Sequence, residues 1–175
     1  STLYLLLPAG IANIFTSISN KLLPSWNYPL DINTRIFGKR ILGNHKTFRG
    51  LFFGVLGGII GSFLQLYLSV YPVIDSISLI DYPEHNLLFL GVLFGSGAIF
   101  GDAVKSFVKR QLNIAPGKSF MPFDQIDWVL GASLFIIPVY LISLQQLIIL
   151  LAGYFLIHIT IRYLGYLMHL NKEKF

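Results

Sequence analysis

Three of the chain's eight acidic residues, Asp102, Asp124 and Asp127, fall between Gly101 and Trp128. Four of its thirteen Lys and Arg, namely Lys105, Lys109, Arg110 and Lys118, fall in the same stretch. On a helix begun at Asp102, the residues Lys105, Ser106, Lys109 and Arg110 follow at i+3, i+4, i+7 and i+8 and share one face. Asp124 and Asp127 are spaced i, i+3, so both carboxylates can project to one side of a helix start. Carboxylates beside a surplus of cations suit a polyphosphate carried with Mg²⁺. That ion prefers octahedral oxygen ligands, one or two carboxylates with water and substrate phosphates. Lys and Arg neutralise the remaining phosphate charge, and Arg can do so bidentately. Such chemistry is positioning plus electrostatics, with the metal stabilising charge on the leaving group.

A second polar block runs from Asp31 to Arg49. It sets Arg35, Lys39, Arg40, Lys46 and Arg49 against one acid, Asp31. Within it, Asn44, His45, Lys46 and Thr47 form a compact polar turn. Simpler roles compete for several of these residues. Asp124 fits a helix N-cap after Pro122, and Thr47 fits a cap on the helix that follows it. Lys109 and Arg110 fit interfacial anchors, and Asp102–Lys105 a structural ion pair. His158 and His169 read as packing or interfacial residues. Gly117-Lys118-Ser119 resembles the end of a P-loop, but Leu112 stands where the first glycine belongs, so the motif fails.

The elements that must position these groups are apolar. The chain has 175 residues, 54% hydrophobic and 12% charged, with net charge +5 and mean hydropathy +0.68. Soluble domains carry about 25% charged residues. The deficit predicts an integral membrane protein. Continuous apolar runs favour helices over a barrel. With no cysteine, disulfides, thiol catalysis and Cys-bound zinc are excluded. No basic region precedes Thr2–Leu7, which argues against a secretory signal peptide. An ionised side chain at the bilayer centre costs roughly 2.5–3.5 kcal/mol. The stripe from Asp102 must therefore face helices or water.

Five apolar segments are expected, all helical and within one membrane domain, 1–175. The first runs from about Thr2 to Leu23, with Asn13, Thr16, Ser17 and Asn20 on one face. The second runs from Gly50 to about Tyr71 and carries small-xxx-small pairs, Gly54–Gly58 and Gly57–Gly61, suited to close packing. The third starts near Leu87 and becomes the charged stripe. The fourth runs from about Asp124 to Ser143 with a kink at Pro138. Gln145-Gln146 reads as a tight turn before the fifth, which ends near His169 ahead of a charged tail, Asn171–Phe175. Lys and Arg alternate between loops. The positive-inside rule then puts the N-terminus outside and the C-terminus in the cytoplasm. The cytoplasmic loops, about 24–49 and 106–126, are expected to form the active site.

The order Ser106, Lys109, Arg110, Lys118, Pro122, Asp124, Asp127 resembles the signature of the CTP-dependent phosphatidate cytidylyltransferases. Here Ser119 follows Lys118 where that family has Asp, its His-Gly-Gly is absent, and Gln125 stands where Arg is usual. The chain is more similar to the archaeal relatives, the CDP-archaeol synthase family. The Lys-Thr-x-Arg-Gly of their Asn-x-x-Lys-Thr-x-Arg-Gly motif is matched by Lys46, Thr47, Arg49 and Gly50, with Asn44 one residue closer to Lys46 than the motif has it. Their Gly-Asp-x-x-Lys-Ser motif is matched by Gly101, Asp102, Lys105 and Ser106.

The resemblance implies Mg²⁺-dependent transfer of a cytidylyl group from CTP to an unsaturated archaeal ether lipid phosphate, digeranylgeranylglyceryl phosphate. The products would be CDP-archaeol and pyrophosphate. Asp102, Lys105, Asp124 and Asp127 are then catalytic, with the three aspartates as metal ligands. Lys46, Arg49, Ser106, Lys109, Arg110 and Lys118 are candidates for the phosphates. Asn44, His45 and Thr47 are candidates for the cytosine or ribose. The partners expected are CTP, the lipid phosphate and the bilayer, with no nucleic acid. The expected location is the cell membrane, with the site facing the cytoplasm. Two other functions fit parts of the pattern: the same transfer onto phosphatidate, and a small anion transporter or channel. The outer loops carry no basic residues, which opposes the channel.

Overall fold

A computed structural model describes residues 1–36, 38–115 and 118–168. The expectations for the Pro116-Gly117 turn, for His169 and for the tail and its cytoplasmic end lie outside the described residues. The described chain is mostly helical: α1 (Thr2–Leu5), α2 (Leu7–Leu22), α3 (Phe48–Leu68), α4 (Pro72–Asp75), α5 (Leu87–Gln111), α6 (Phe123–Phe135) and α7 (Leu144–Leu167). A 3₁₀ turn spans Tyr82–Glu84. Within the first polar block a two-residue hairpin, β1 (Arg35–Ile36) and β2 (Lys39–Arg40), pairs antiparallel in the register Arg35–Arg40.

Local chemistry sets most of these boundaries. Pro8 has no N–H to donate to the Tyr4 carbonyl, so the first apolar segment does not run through as one helix. It breaks at Leu6, and Gln65 Nε2 takes up the Tyr4 carbonyl at 2.6 Å. Thr47 caps α3 by accepting from Gly50 N–H at 3.2 Å. Asn86 caps α5 through Phe89 N–H at 3.0 Å. The expected kink at Pro138 is instead a helix end. α6 stops at Phe135, three residues before that proline, and does not reach Ser143. Gln145 and Gln146 are not a turn but the opening of α7. There Ser143 and Gln146 form a reciprocal capping box.

The helices pack α2 on α3, α3 on α5, and α5 on α6, with α7 on the outside against α6 and α1. The core gathers Leu5, Leu6, Ala9 and Ala12 with Leu90, Phe94, Ala98, Val129, Ala132 and Ile136. Glycine lets the backbones meet. A Cβ on Gly58 would lie 2.3 Å from the Gly91 carbonyl oxygen, and one on Gly131 would lie 2.2 Å from that of Gly97. Large apolar side chains such as Phe63, Tyr67, Leu144, Ile148 and Leu156 point outward. α3, α5 and the stretch Leu144–Leu164 of α7 are long and apolar enough to cross a membrane. Their 21, 25 and 21 residues compare with about 20 needed for a hydrocarbon core of about 30 Å. α2 and α6, with 16 and 13 residues, are shorter.

Candidate active site

α5 runs unbroken from its apolar half into the charged stripe, so Asp102, Lys105 and Lys109 share one face. The start of α6 lies against that face. A Cβ at Gly101 would sit 2.1 Å from the Asp127 carbonyl oxygen, so only glycine lets α5 and α6 touch here. The turn before α3 supplies a third element through Lys46.

The four charged groups converge on one point. Lys105 Nζ stands 3.0 Å from Asp102 Oδ1, 3.2 Å from Asp124 Oδ1 and 2.7 Å from Asp127 Oδ2. Lys46 Nζ pairs with Asp102 Oδ2 across 56 residues of sequence. Lys109 Nζ reaches Asp124 at 3.1 and 3.2 Å and the Lys118 carbonyl at 2.5 Å. Three ammonium groups therefore face three carboxylates. Asp124 is not an N-cap, because Pro122 holds that position. Its Oδ2 accepts instead from Phe120 N–H at 2.6 Å, which fixes the approach to α6. Asp127 Oδ2 is buried and meets Lys105 Nζ in a close ion pair.

A cavity of about 780 Å³ opens onto the cluster. Asp102, Lys105, Asp124, Asp127 and His158 line it together with apolar and aromatic side chains, among them Ile11, Ile14, Trp128 and Ile157. A second cavity, of about 320 Å³, is lined by Phe100, Val104, Val108, Phe123 and Leu130 and shares Lys105 and Asp127 with the first. Those two residues thus stand between two mostly apolar spaces.

The other candidates divide. Ser106 is buried and returns its hydroxyl to the Asp102 carbonyl at 2.8 Å. Asn44 and His45 are exposed, and Asn44 Oδ1 accepts from Arg40 at 2.9 Å. Arg110 packs beside the Gly43 turn, within 3.8 Å of where a Cβ there would stand. Lys118 is exposed and meets the cluster through its carbonyl. Two candidates are engaged in structural contacts. Arg49 is only 3% exposed and donates to the Leu23 carbonyl and to Asn20 Oδ1, so it ties α3 to the end of α2 and does not face the cluster. Thr47 is buried and its hydroxyl is occupied by the α3 cap.

The residue missed in the sequence is Asp31. Its side chain is 1% exposed. It accepts from Arg40 Nη2 at 2.6 Å and Nε at 3.1 Å, from Leu42 and Gly43 N–H at 3.0 and 3.1 Å, and from Asn33 N–H at 3.2 Å. Burial alone would raise this carboxyl. The Arg40 hydrogen bonds, the two backbone donors and the Arg40 charge outweigh it and hold the group at about 2. Arg40 thereby links Asp31 to Asn44, and Lys39 Nζ fastens the hairpin to the end of α5 through the Gln111 carbonyl at 2.7 Å. The fivefold Arg and Lys excess around one acid was the available signal. Of the large cavity's other polar residues, Asn13 was signalled only by the polar face it shares with Thr16, Ser17 and Asn20, and His158 reads in sequence as a packing or interfacial residue.

Among the described residues, no three carboxylates or imidazoles stand close enough to form a ready-made metal site. The donor chemistry nonetheless suits a hard cation. Three carboxylates surround one positive centre, and the Asp127 oxygen nearest to it is buried.

Apolar helices closing around a balanced charge cluster, with substrate-sized cavities beside it, define a membrane-embedded enzyme. A solved structure described as an intramembrane enzyme for archaeal membrane lipid biosynthesis matches with a TM-score of 0.70 and 27% identity, covering 91% of this chain and 90% of that one. The family model for CarS-like CDP-archaeol synthase matches residues 1–175. CDP-archaeol synthase of Methanococcus maripaludis strain C7 is 35% identical over 173 residues, 98% of this chain and 94% of the relative. Those of Methanosarcina barkeri and Methanocaldococcus jannaschii are each 32% identical, covering 96% and 95% of this chain and 99% and 91% of the relatives. The chain belongs to the CDP-archaeol synthase family. It is a membrane protein and a cytidylyltransferase of lipid biosynthesis.

Proposed function

We propose that this chain transfers the cytidylyl group of CTP to digeranylgeranylglyceryl phosphate in the presence of Mg²⁺. A phosphate oxygen of the lipid attacks the α-phosphorus. The bond from that phosphorus to the oxygen bridging it to the β-phosphate breaks, and pyrophosphate leaves with the electron pair. No protein nucleophile is needed, because the lipid phosphate is already an anion. The observation that carries this reading is the cluster of three carboxylates and three ammonium groups at a cavity of about 780 Å³ whose other walls are largely apolar. A charged reaction centre beside apolar volume suits a substrate with an ionic head and hydrocarbon tails.

Asp102, Asp124 and Asp127 are the residues that would hold Mg²⁺, which supplies charge stabilisation at the phosphates. Lys46, Lys105 and Lys109 turn from carboxylates to phosphate oxygens. Lys118 and Arg110, at the rim of the same region, extend the positive surface. Asn44 and His45, exposed on the turn that Asp31 and Arg40 hold, face the nucleoside. In the bilayer we place five spans within a single domain, α1 with α2, α3, α5, α6 with the segment after it, and α7. The N-terminus lies outside, and the site faces the cytoplasm between loops 24–49 and 106–126. The alternation of Lys and Arg between loops supports that orientation.

The test is pyrophosphate release by purified protein in detergent. The reactions contain Mg²⁺, CTP, ATP, GTP or UTP in turn, and either digeranylgeranylglyceryl phosphate or phosphatidate, with Asp102→Asn as control. The expected result is release with CTP and the isoprenoid ether lipid, lost in Asp102→Asn. Equal turnover of phosphatidate would refute the lipid assignment. Release independent of any lipid would refute the reaction.

A further inference from the structure

We propose that Lys105 is a built-in counter-ion that keeps free Mg²⁺ out of the carboxylate site until a nucleotide triphosphate draws it away, so that metal and nucleotide enter together. The inference rests on the cytidylyl-transfer reading and adds an order of binding to it.

Lys105 Nζ occupies the point on which the three carboxylates converge, at 2.7, 3.0 and 3.2 Å. These spacings fit an ammonium. Mg²⁺ binds oxygen at about 2.0–2.1 Å, so the same carboxylates must close in to hold it. As they stand, no three such groups among the described residues are close enough. The buried Asp127 Oδ2 has Lys105 as its charged partner at 2.7 Å, so it exchanges that ammonium for the metal when Lys105 leaves.

Charge decides the order. Lys46 and Lys109 pair with Asp102 and Asp124 from the sides, and Lys105 completes neutrality. A dication added to this set with Lys105 in place adds uncompensated charge in a half-buried site and meets a like charge at contact distance. A triphosphate removes both obstacles. It brings several negative charges, gives the three ammonium groups new partners, and frees the carboxylates for the metal. Lys105 has somewhere to go, since its side chain borders both cavities. Its stem of four carbons lets the ammonium move without shifting α5.

Binding of Mn²⁺ by the full-length protein in detergent, read from the EPR signal of free Mn²⁺, tests this without turnover. Wild type is expected to bind Mn²⁺ weakly alone and, beyond the Mn²⁺ that the analogue takes up in protein-free controls, tightly with a non-hydrolysable CTP analogue. Lys105→Gln is expected to bind Mn²⁺ without nucleotide at least about tenfold more tightly than wild type. Lys46→Gln leaves the central ammonium in place and should gain less. Equal nucleotide-free affinity in wild type and Lys105→Gln overturns the proposal. If Lys105→Gln does not fold, wild type alone decides: Mn²⁺ affinity indifferent to the analogue overturns it as well. Failure of wild type to bind the analogue even with Mn²⁺ present would instead remove the cytidylyl-transfer reading beneath it.

Discussion

Arg49 and Asp31 are both buried ionic residues, and neither belongs to the central cluster. Arg49 spends two of its nitrogens on α2, on the Leu23 carbonyl and Asn20 Oδ1. A hydrogen bond to a charged group is worth about 1.5–3 kcal/mol, so Arg49→Lys should lower the unfolding temperature in detergent. Its KM for CTP should stay unchanged, and a raised KM would return Arg49 to the substrate. Asp31 makes a prediction in pH. Its folded value of about 2 lies below the ordinary carboxylate value of about 3.9. The stabilisation it supplies is therefore complete above the unfolded value and is lost as pH falls from about 4 toward 2. Acid unfolding of wild type should be steeper through that window than that of Asp31→Asn. Matching slopes would mean that Arg40 and the backbone donors do not hold the carboxylate.

At the scale of elements, the site depends on how closely α5 and α6 approach. Gly101 precedes Asp102 and touches the backbone at Asp127, so two of the three carboxylates are registered by one missing side chain. Gly101→Ala would place a methyl 2.1 Å from a carbonyl oxygen and must push the helices apart, at an overpacking cost of about 1–3 kcal/mol or more. The expected outcome is a lower unfolding temperature and a larger fractional loss in kcat, since the Lys105–Asp127 contact opens. Gly10→Ala is the control. Its methyl meets only Trp128 Cη2 at 3.9 Å, ordinary contact, and should leave the unfolding temperature near wild type. Equal behaviour of the two variants would show that the helix contact does not tune the site.

For the whole molecule, the orientation in the bilayer is the claim to test. The chain has no cysteine, so single-cysteine variants report cleanly. Asn44→Cys, exposed on the turn that carries Lys46, should react with an impermeant maleimide only in inverted vesicles. Asp81→Cys, exposed before the 3₁₀ turn, should react only in right-side-out vesicles. Labelling of both from one side would contradict the positive-inside assignment.

Much of this architecture is legible along the chain, because the rules that set it are local. Apolar runs mark the helices, Thr47 marks a start, and the spacing from Asp102 to Lys109 puts one charged stripe on α5 whatever surrounds it. Prolines are legible as interruptions, yet whether one kinks or ends a helix depends on what takes up the freed carbonyl. At Pro8 the answer is Gln65, which lies on another helix. Choice of partner was not legible at all. Five cations in the first polar block look alike in sequence, but Lys46 meets Asp102, Arg49 turns to α2, Arg40 clasps Asp31 and Lys39 holds the end of α5. Periodicity fixes the face of a helix on which a charge stands. Only packing fixes which opposite charge it meets, because ion pairs in a low-dielectric interior form between the groups that the backbone contacts bring within reach.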